Sequence, residues 1–317
     1  MMVFDCPTRD KFIDGRPRIA AHVATHGYAV IAAWDTQCET LKEIALSFGR
    51  VQSHIRADAN GLVGIGTEAA INREWEAFRS EYMGLNNEEF LPHTDGSYLH
   101  GLVYRDGCYI QLLPPKMLLL QCWQAATVGG ANLLIDAQRV YGDLARQTPR
   151  LLDILSTKGC VTYCRDDQIA VDRAVFEDLG TGTTMLRFRY DATAYVADWA
   201  EDAFHTLQTD YFANPKYHQR LPLTKGQVVV IDNYRMLHGR EPFTNGQAGQ
   251  ERRLRRIWLA HDRLPVLLNA VGQYKETRAL KRFQAYGIVE RHDYDTAKAS
   301  PHGIRPLAAA GQSRVMH

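Results

Sequence analysis

From residue 117 onward the sequence is written in runs of strand length, apolar at 117–126 and 228–231, and this constrains the fold more than any other feature. Runs at 117–126, 132–137, 160–165, 183–190, 228–231 and 252–261 are separated by turn signals such as Gly129-Gly130 and Lys225-Gly226. The run at 117–126, the Gly129-Gly130 turn and the run at 132–137 read as a hairpin-like pair. Helical inserts are expected at 138–147 and 150–157, and Val196, Trp199, Ala203 and Leu207 mark one long amphipathic helix.

The N-terminal part adds helices to this β-rich plan. Residues 17–26 read as a helix stopped by Gly27, with a strand at 28–33 behind it. Thr36-x-x-Glu39 has the form of a capping box ahead of a second helix with Leu41, Ile44, Ala45 and Phe48 on its apolar face and Gly49 at its C-terminal cap. Gly64-Ile65-Gly66 lacks the third glycine and the βαβ setting of a dinucleotide loop. No linker rich in Pro, Gly or Ser divides the chain. The expectation is therefore one domain over 1–317, with a core at about 16–262, mainly β and closed or sandwiched, with helices outside. A helix is expected near 275–284, and 297–317 has the composition of a disordered tail or a lid.

Composition narrows the partners. A chain of 317 residues that is 45% hydrophobic can bury a substantial core. Its 37 basic residues nearly balance its 36 acidic ones, giving a net charge of +1, so neither nucleic acid nor a membrane surface is the expected partner. A small molecule is, and self-association into a homo-oligomer stays open. Cys6, Cys38, Cys108, Cys122, Cys160 and Cys164 are scattered without a Cys-x-x-Cys pair and read as reduced thiols of a cytoplasmic protein. The N-terminal residues do not have the pattern of a secretory signal, and no apolar run is long enough to span a bilayer.

Chemistry concentrates in two places. In Pro92-His93-Thr94-Asp95-Gly96, an extended backbone would turn the His93 imidazole and the Asp95 carboxylate to one face. About 140 residues later, the strand at 228–231 runs through Asp232-Asn233-Tyr234-Arg235 to His238-Gly239-Arg240. Two imidazoles and one carboxylate leave half the octahedron of an iron(II) ion open to ligands. The same trio would also serve a zinc hydrolase or a non-catalytic metal-binding β-barrel. Downstream, alternation in 252–258 puts Arg252, Leu254, Arg256 and Trp258 on one face, with Arg252 and Arg256 about 13 Å apart. Buried arginine is costly unless an anion meets it, so each is a candidate carboxylate clamp, a feature a hydrolase does not need.

These motifs together resemble the iron(II)/2-oxoglutarate dioxygenases of the taurine dioxygenase and clavaminate synthase-like superfamily. The likeness runs over about 16–262 and is strongest over 225–262, where, with Arg187-Phe188-Arg189-Tyr190-Asp191 upstream, the text is similar to γ-butyrobetaine and trimethyllysine hydroxylases. The resemblance implies a double-stranded β-helix (jelly-roll, cupin-like) core, with iron(II), 2-oxoglutarate and dioxygen as cofactor and co-substrates. It implies His93, Asp95 and His238 as catalytic metal ligands and Arg252 as the partner of the distal carboxylate of 2-oxoglutarate. Asn132 falls where many relatives carry a threonine or serine that bonds the same carboxylate. Arg256 matches a position that meets the acidic group of the prime substrate, and trimethyllysine hydroxylases have glycine there. No counterpart of the N-terminal zinc domain of γ-butyrobetaine hydroxylase is present. The segment between Asp95 and Pro114, with Tyr98, His100, Tyr104, Asp106 and Tyr109, is longer than in those relatives and is expected to shape substrate access, Tyr98 included; His100 is read as a loop residue rather than a ligand.

The implied reaction hydroxylates an unactivated C–H bond of a small amino-acid-derived or carboxylate metabolite and releases succinate and CO2. Desaturation, epoxidation and cyclisation would use the same residues. Halogenation would need the carboxylate ligand replaced, and Asp95 is present.

Overall fold

The structure, a computed structural model, describes residues 2–52, 54, 57–58, 60–66, 87–105, 108–165, 168–179, 182, 184–191, 193–246, 251–260 and 305–306; for 101–105, 108–112, 168–169 and 305–306 it describes backbone alone. The expected helix at 275–284 and the tail at 297–317, apart from 305–306, lie outside these residues, as do Asp106 and most of 67–90.

The first half of the chain runs β1 (Val3–Asp5), α1 (Arg9–His26), β2 (Tyr28–Ala32), α2 (Cys38–Leu46), β3 (Val51–Gln52), β4 (Leu62–Gly66), β5 (Phe90–His93), β6 (Gly101–Arg105), β7 (Cys108–Leu112), β8 (Met117–Gln124), β9 (Val128–Gly129) and β10 (Asn132–Asp136). Next come α3 (Ala137–Gln147), α4 (Pro149–Ser156), β11 (Val161–Arg165), β12 (Gln168–Arg173), β13 (Phe176–Asp178), β14 (Thr184–Leu186), β15 (Ala194–Val196) and α5 (Glu201–Thr206). The last strands are β16 (His218–Leu221), β17 (Gln227–Asp232), β18 (Met236–Arg240), β19 (Phe243–Thr244), β20 (Arg253–Leu259) and β21 (Arg305–Pro306). The fold is mostly β with helices beside the sheets. No helix among the described residues is long and apolar enough to cross a membrane.

The chain divides into two compact units, each assembled from three separate segments. The first comprises Met1–Pro92, Pro115–Asp136 and His218–Asp262. Its larger sheet has the order β1-β2-β17-β8-β20-β3, with β4 also paired to β20. Ala29, Val230, Leu119 and Ile257 lie opposite one another across four adjacent strands. With strand period two they share one face, and there they pack in one cluster with Phe12, Ile19 and Val23 of α1 and Leu41, Ile44 and Ala45 of α2. Burying each such aliphatic side chain stabilises the unit by roughly 1.5–3 kcal/mol. The opposite face of the same strands carries Leu118, Leu120, Cys122, Leu254, Arg256 and Trp258, in directly opposed pairs. The smaller sheet has the order β16-β10-β18-β5.

The second unit comprises His93–Pro114, Ala137–Tyr217 and Arg263–His317. In it β11 pairs with β12 and β15, and β15 with β21, while β13–β14 and β6–β7 form two-stranded pairs. Phe188 meets the rings of Phe204 and Phe212 at 4.8 and 4.7 Å.

Four sequence expectations are corrected. Helix α1 begins at Arg9, well before residue 17, because Thr8 Oγ1 accepts from the Lys11 N–H as an N-cap and Pro17 is carried inside the helix. The Thr36-x-x-Glu39 capping box does not form: the cap of α2 is Gln37, which makes no side-chain cap bond, and its C-cap is Ser47. The runs at 117–126 and 132–137 are not a hairpin-like pair, since β8 joins β17 and β20 while β10 joins β16 and β18; between them β9 pairs with β19. The long helix marked by Val196, Trp199, Ala203 and Leu207 is broken up: Val196 ends β15, a 3-10 turn spans Asp198–Ala200, α5 follows, and Leu207–Phe212 is π-helical, with Trp199 54% exposed. Trp199 therefore contributes no buried face there.

Candidate metal centre

Strand β18 presents His238 and is buried at every position. Beside it, Gly239 makes room for β5: a Cβ at that residue would lie 2.7 Å from the Phe90 carbonyl oxygen and 3.1 Å from Pro92 N. Strand β5 ends on His93. Thr94 is then held by Phe188, its N–H donating to the Phe188 carbonyl at 2.8 Å and its Oγ1 accepting from the Phe188 N–H at 3.0 Å. Asp95 opens a turn in which Gly96 has φ 71° and Leu99 N–H donates back to the Gly96 carbonyl. The expected extended alternation therefore stops at His93, and the turn brings the carboxylate round instead.

The result is a compact donor group. His93 Nε2 stands 3.8 Å from Asp95 Oδ1. One ligand atom each from His93, Asp95 and His238 lies within 4.8 Å of the others, and all three residues are buried. Metal–ligand bonds of roughly 2.1 Å put neighbouring donors about 3 to 4 Å apart, so small side-chain adjustments would seat an ion. Two neutral nitrogens and one carboxylate oxygen suit iron(II) and leave further positions open. His100 is not part of this group.

Arg252 lies just before β20; the register shift opposite Arg253 and Leu254 falls on β8, where Trp123 is the extra residue, while β20 pairs with β4 without a break. It is 4% exposed. Its backbone N–H donates to Asn245 Oδ1 at 2.9 Å, and its Nη2 donates to Asn132 Oδ1 at 3.4 Å. Its guanidinium carbon sits 5.5 Å from the centre of the Phe243 ring. Burial pushes its pKa down to about 10, against a smaller opposing effect of Cys122, so the group is still a cation at neutral pH. The Gly129-Gly130 turn leaves space for this side chain, since a Cβ on Gly130, at φ 71°, would lie 3.2 Å from Arg252 Cδ.

Arg240, to which the sequence reading assigned no role, is equally buried at 4% exposure. Its guanidinium carbon is 4.7 Å from the centre of the same Phe243 ring, and its Nη2 donates to the Glu88 carbonyl oxygen. Burial first, and the Arg252 charge second, push its pKa down to about 10. The legible signal was an arginine two residues beyond a histidine on an apolar strand, which strand period places on the histidine's own face.

Each of the two residues assigned to the prime substrate has its own aromatic or cationic neighbour. Arg256 lies on the face of β20 away from the helices, its guanidinium carbon 4.9 Å from the Trp258 ring, and Trp258 meets His54 edge-on at 4.5 Å. Tyr98 is 5% exposed and packs under the Arg165 guanidinium at 5.3 Å. The long segment after it folds into the β6–β7 pair.

Comparison with known proteins completes the picture. A curated relative, uridine-5'-phosphate dioxygenase of Streptomyces sp, is 30% identical over 152 residues, which is 45% of this chain and 55% of the relative. The chain thus spans about half the length of the curated relative it matches. The fold is similar to that of asparagine oxygenase, solved with Fe(II), 2S,3S-3-hydroxyasparagine and succinate, with a TM-score of 0.59 at 14% identity over 95% of this chain and 88% of that one. It is also similar to that of the non-heme iron oxygenase OrfP, solved with Fe, succinate and (3S)-hydroxy-L-Arg, with a TM-score of 0.54 at 15% identity over 93% of this chain and 85% of that one. The likeness to γ-butyrobetaine and trimethyllysine hydroxylases rests on the sequence motifs alone. The family model described as taurine catabolism dioxygenase TauD, TfdA family matches residues 4–258, most of the chain, and the protein belongs to that family.

Proposed function

We propose that the protein is an iron(II)- and 2-oxoglutarate-dependent oxygenase that hydroxylates an unactivated C–H bond of a small acidic metabolite, an amino acid or a carboxylate derived from one, with release of succinate and CO2. One observation carries the reading: a buried His-Asp-His donor group is accompanied by Arg252, a buried cation whose side-chain hydrogen bond goes to a neutral amide. A buried guanidinium so placed gains most from an incoming carboxylate, and a zinc hydrolase or a passive metal site has no use for it.

In this reading His93, Asp95 and His238 hold the iron, which when bound supplies the activation of dioxygen. Arg252 fixes the distal carboxylate of 2-oxoglutarate and thereby its orientation, at a cost in freedom that the protein has met in advance. Asn132 steadies Arg252 through its carbonyl oxygen, and its amide N–H groups are donors for the same carboxylate. Arg256, stacked on Trp258, takes the anionic group of the prime substrate, and Tyr98 belongs to the wall over which it arrives. The complexes of asparagine oxygenase and OrfP support an amino-acid substrate, and the name uridine-5'-phosphate dioxygenase adds nucleoside monophosphates to the anions worth screening. Desaturation, epoxidation and cyclisation remain alternative outcomes on the same residues. A jelly-roll core within one domain is part of the proposal, supported by the fold likeness to iron oxygenases. A reducing cytoplasmic setting is supported by five free cysteines among the described residues.

The test is anaerobic addition of iron(II) and 2-oxoglutarate to the purified protein, which should produce a weak visible charge-transfer band. Asp95→Ala should lose the band and succinate formation while keeping the wild-type circular dichroism. Absence of a band in the wild type, together with 2-oxoglutarate binding unaffected by Arg252→Ala, would overturn the reading.

A further inference from the structure

We infer that Arg240 is a positioning residue of the co-substrate pocket, a second cation beside Arg252 that draws in and orients the distal carboxylate of 2-oxoglutarate. The inference rests on the function proposed above and extends it to a residue that neither the motifs nor the family resemblance assigned.

Strand geometry places Arg240 where such a group is needed. His238 and Arg240 alternate on β18, so they share a face and stand about 7 Å apart. That is close to the span of a five-carbon dicarboxylate. In the antiparallel register Asn132 lies directly opposite Arg240, and Leu134 directly opposite His238. The amide that accepts from Arg252 is therefore the cross-strand neighbour of Arg240. Both guanidiniums lie over one aromatic ring, at 4.7 and 5.5 Å from the centre of Phe243, and both residues are 4% exposed.

Two cations gathered this way repel each other, and the burial of both limits the screening between them. A carboxylate entering beside Phe243 relieves that repulsion and bonds at least one of them, so the second cation strengthens binding of an anion rather than of a neutral group. Arg240 donates to the Glu88 backbone carbonyl, which orients it, and the Glu88 carboxylate acts on its charge in the opposite sense to Arg252.

The experiment is anaerobic calorimetric titration of the iron(II)-loaded protein with 2-oxoglutarate and with 2-oxopentanoate, which has the same carbon chain but no distal carboxylate. Wild type should bind 2-oxoglutarate far more tightly. Arg240→Met should weaken 2-oxoglutarate about tenfold, the loss of one charge-assisted contact, and leave 2-oxopentanoate within about twofold. Arg240→Lys should restore most of the preference, which a bracing role for the planar guanidinium alone would not allow. Thermal unfolding controls for folding, and Arg240→Gln serves for the same comparison if the Met variant does not fold. Equal loss of both ligands in Arg240→Met, or loss of neither, overturns the inference and leaves the proposed function standing. A wild type that binds neither keto acid overturns both.

Discussion

Arg252 donates through Nη2 to the amide oxygen of Asn132 at 3.4 Å, although the two residues are 120 positions apart in the chain. In the function proposed above, the asparagine oxygen serves the arginine and its amide N–H groups are donors for the same carboxylate. Asn132→Leu should raise the KM for 2-oxoglutarate about fivefold to tenfold with kcat little changed, because one buried hydrogen bond and the aim of Arg252 are lost together. Asn132→Thr should fall between the two. Steady-state kinetics with 2-oxoglutarate varied decides it, and an unchanged KM in Asn132→Leu would exclude the role.

Gly239 is required by a close approach and not by its dihedral angles. With a Cβ there only 2.7 Å from the Phe90 carbonyl oxygen, Gly239→Ala must push β5 away from β18. His93, at the end of β5, moves with it. The variant should bind iron(II) at least about tenfold more weakly and unfold at a lower temperature, since overpacking costs roughly 1–3 kcal/mol. Iron titration alongside a thermal melt separates the two effects, and wild-type iron affinity would show that the strand spacing is unimportant.

Arg187 is fully buried, donates through Nη1 to the carbonyl oxygens of Ser97 and Leu99, and pairs through Nε with Glu177 at 3.0 Å. It thus fastens the turn that follows Asp95. Arg187→Met strands two carbonyls and leaves Glu177 with only its longer pairing to Arg173 at 3.7 Å, and should cost about 3 kcal/mol in chemical denaturation. Glu177→Gln keeps a hydrogen-bond acceptor and should cost less. Similar stability of Arg187→Met and wild type would count against this assignment.

Asp191 provides a pH-dependent contribution of definite sign. Burial alone would raise its pKa, but the Arg189 charge and hydrogen bonds from Arg189 and Thr193 outweigh burial and bring it to about 2 from 3.8. A depressed carboxylate stabilises the folded state fully above the unfolded value of 3.8 and loses that contribution as pH falls through about 2. The difference amounts to about 2 kcal/mol. Arg189→Met should therefore shift acid unfolding to higher pH and flatten the pH dependence of stability below pH 4, which denaturant melts at several pH values would register.

Much of the plan is legible in the residues because strand and helix periods are local properties. The apolar runs at 117–126 and 228–231 became β8 and β17, and Gly27 caps α1 with its φ of 79°. Local pattern failed where partners decide. The runs on either side of Gly129-Gly130 look like a hairpin, yet each pairs with strands about 80 to 140 residues away, a choice made by side-chain packing on the two faces and invisible in a window of sequence.

The same division holds at the metal centre. The sequence by itself determined the residue types: two histidines, one aspartate and an arginine, which suit a divalent ion and a carboxylate. Only the tertiary structure decided that Asp95 reaches the group from a turn rather than a strand, that Asn132 lies under Arg252, and that Arg240 joins Arg252 over Phe243. The physical reason is that residue identity sets what a side chain can bind, whereas its neighbours across the sheet depend on strand register, a property of paired strands that neither strand carries alone.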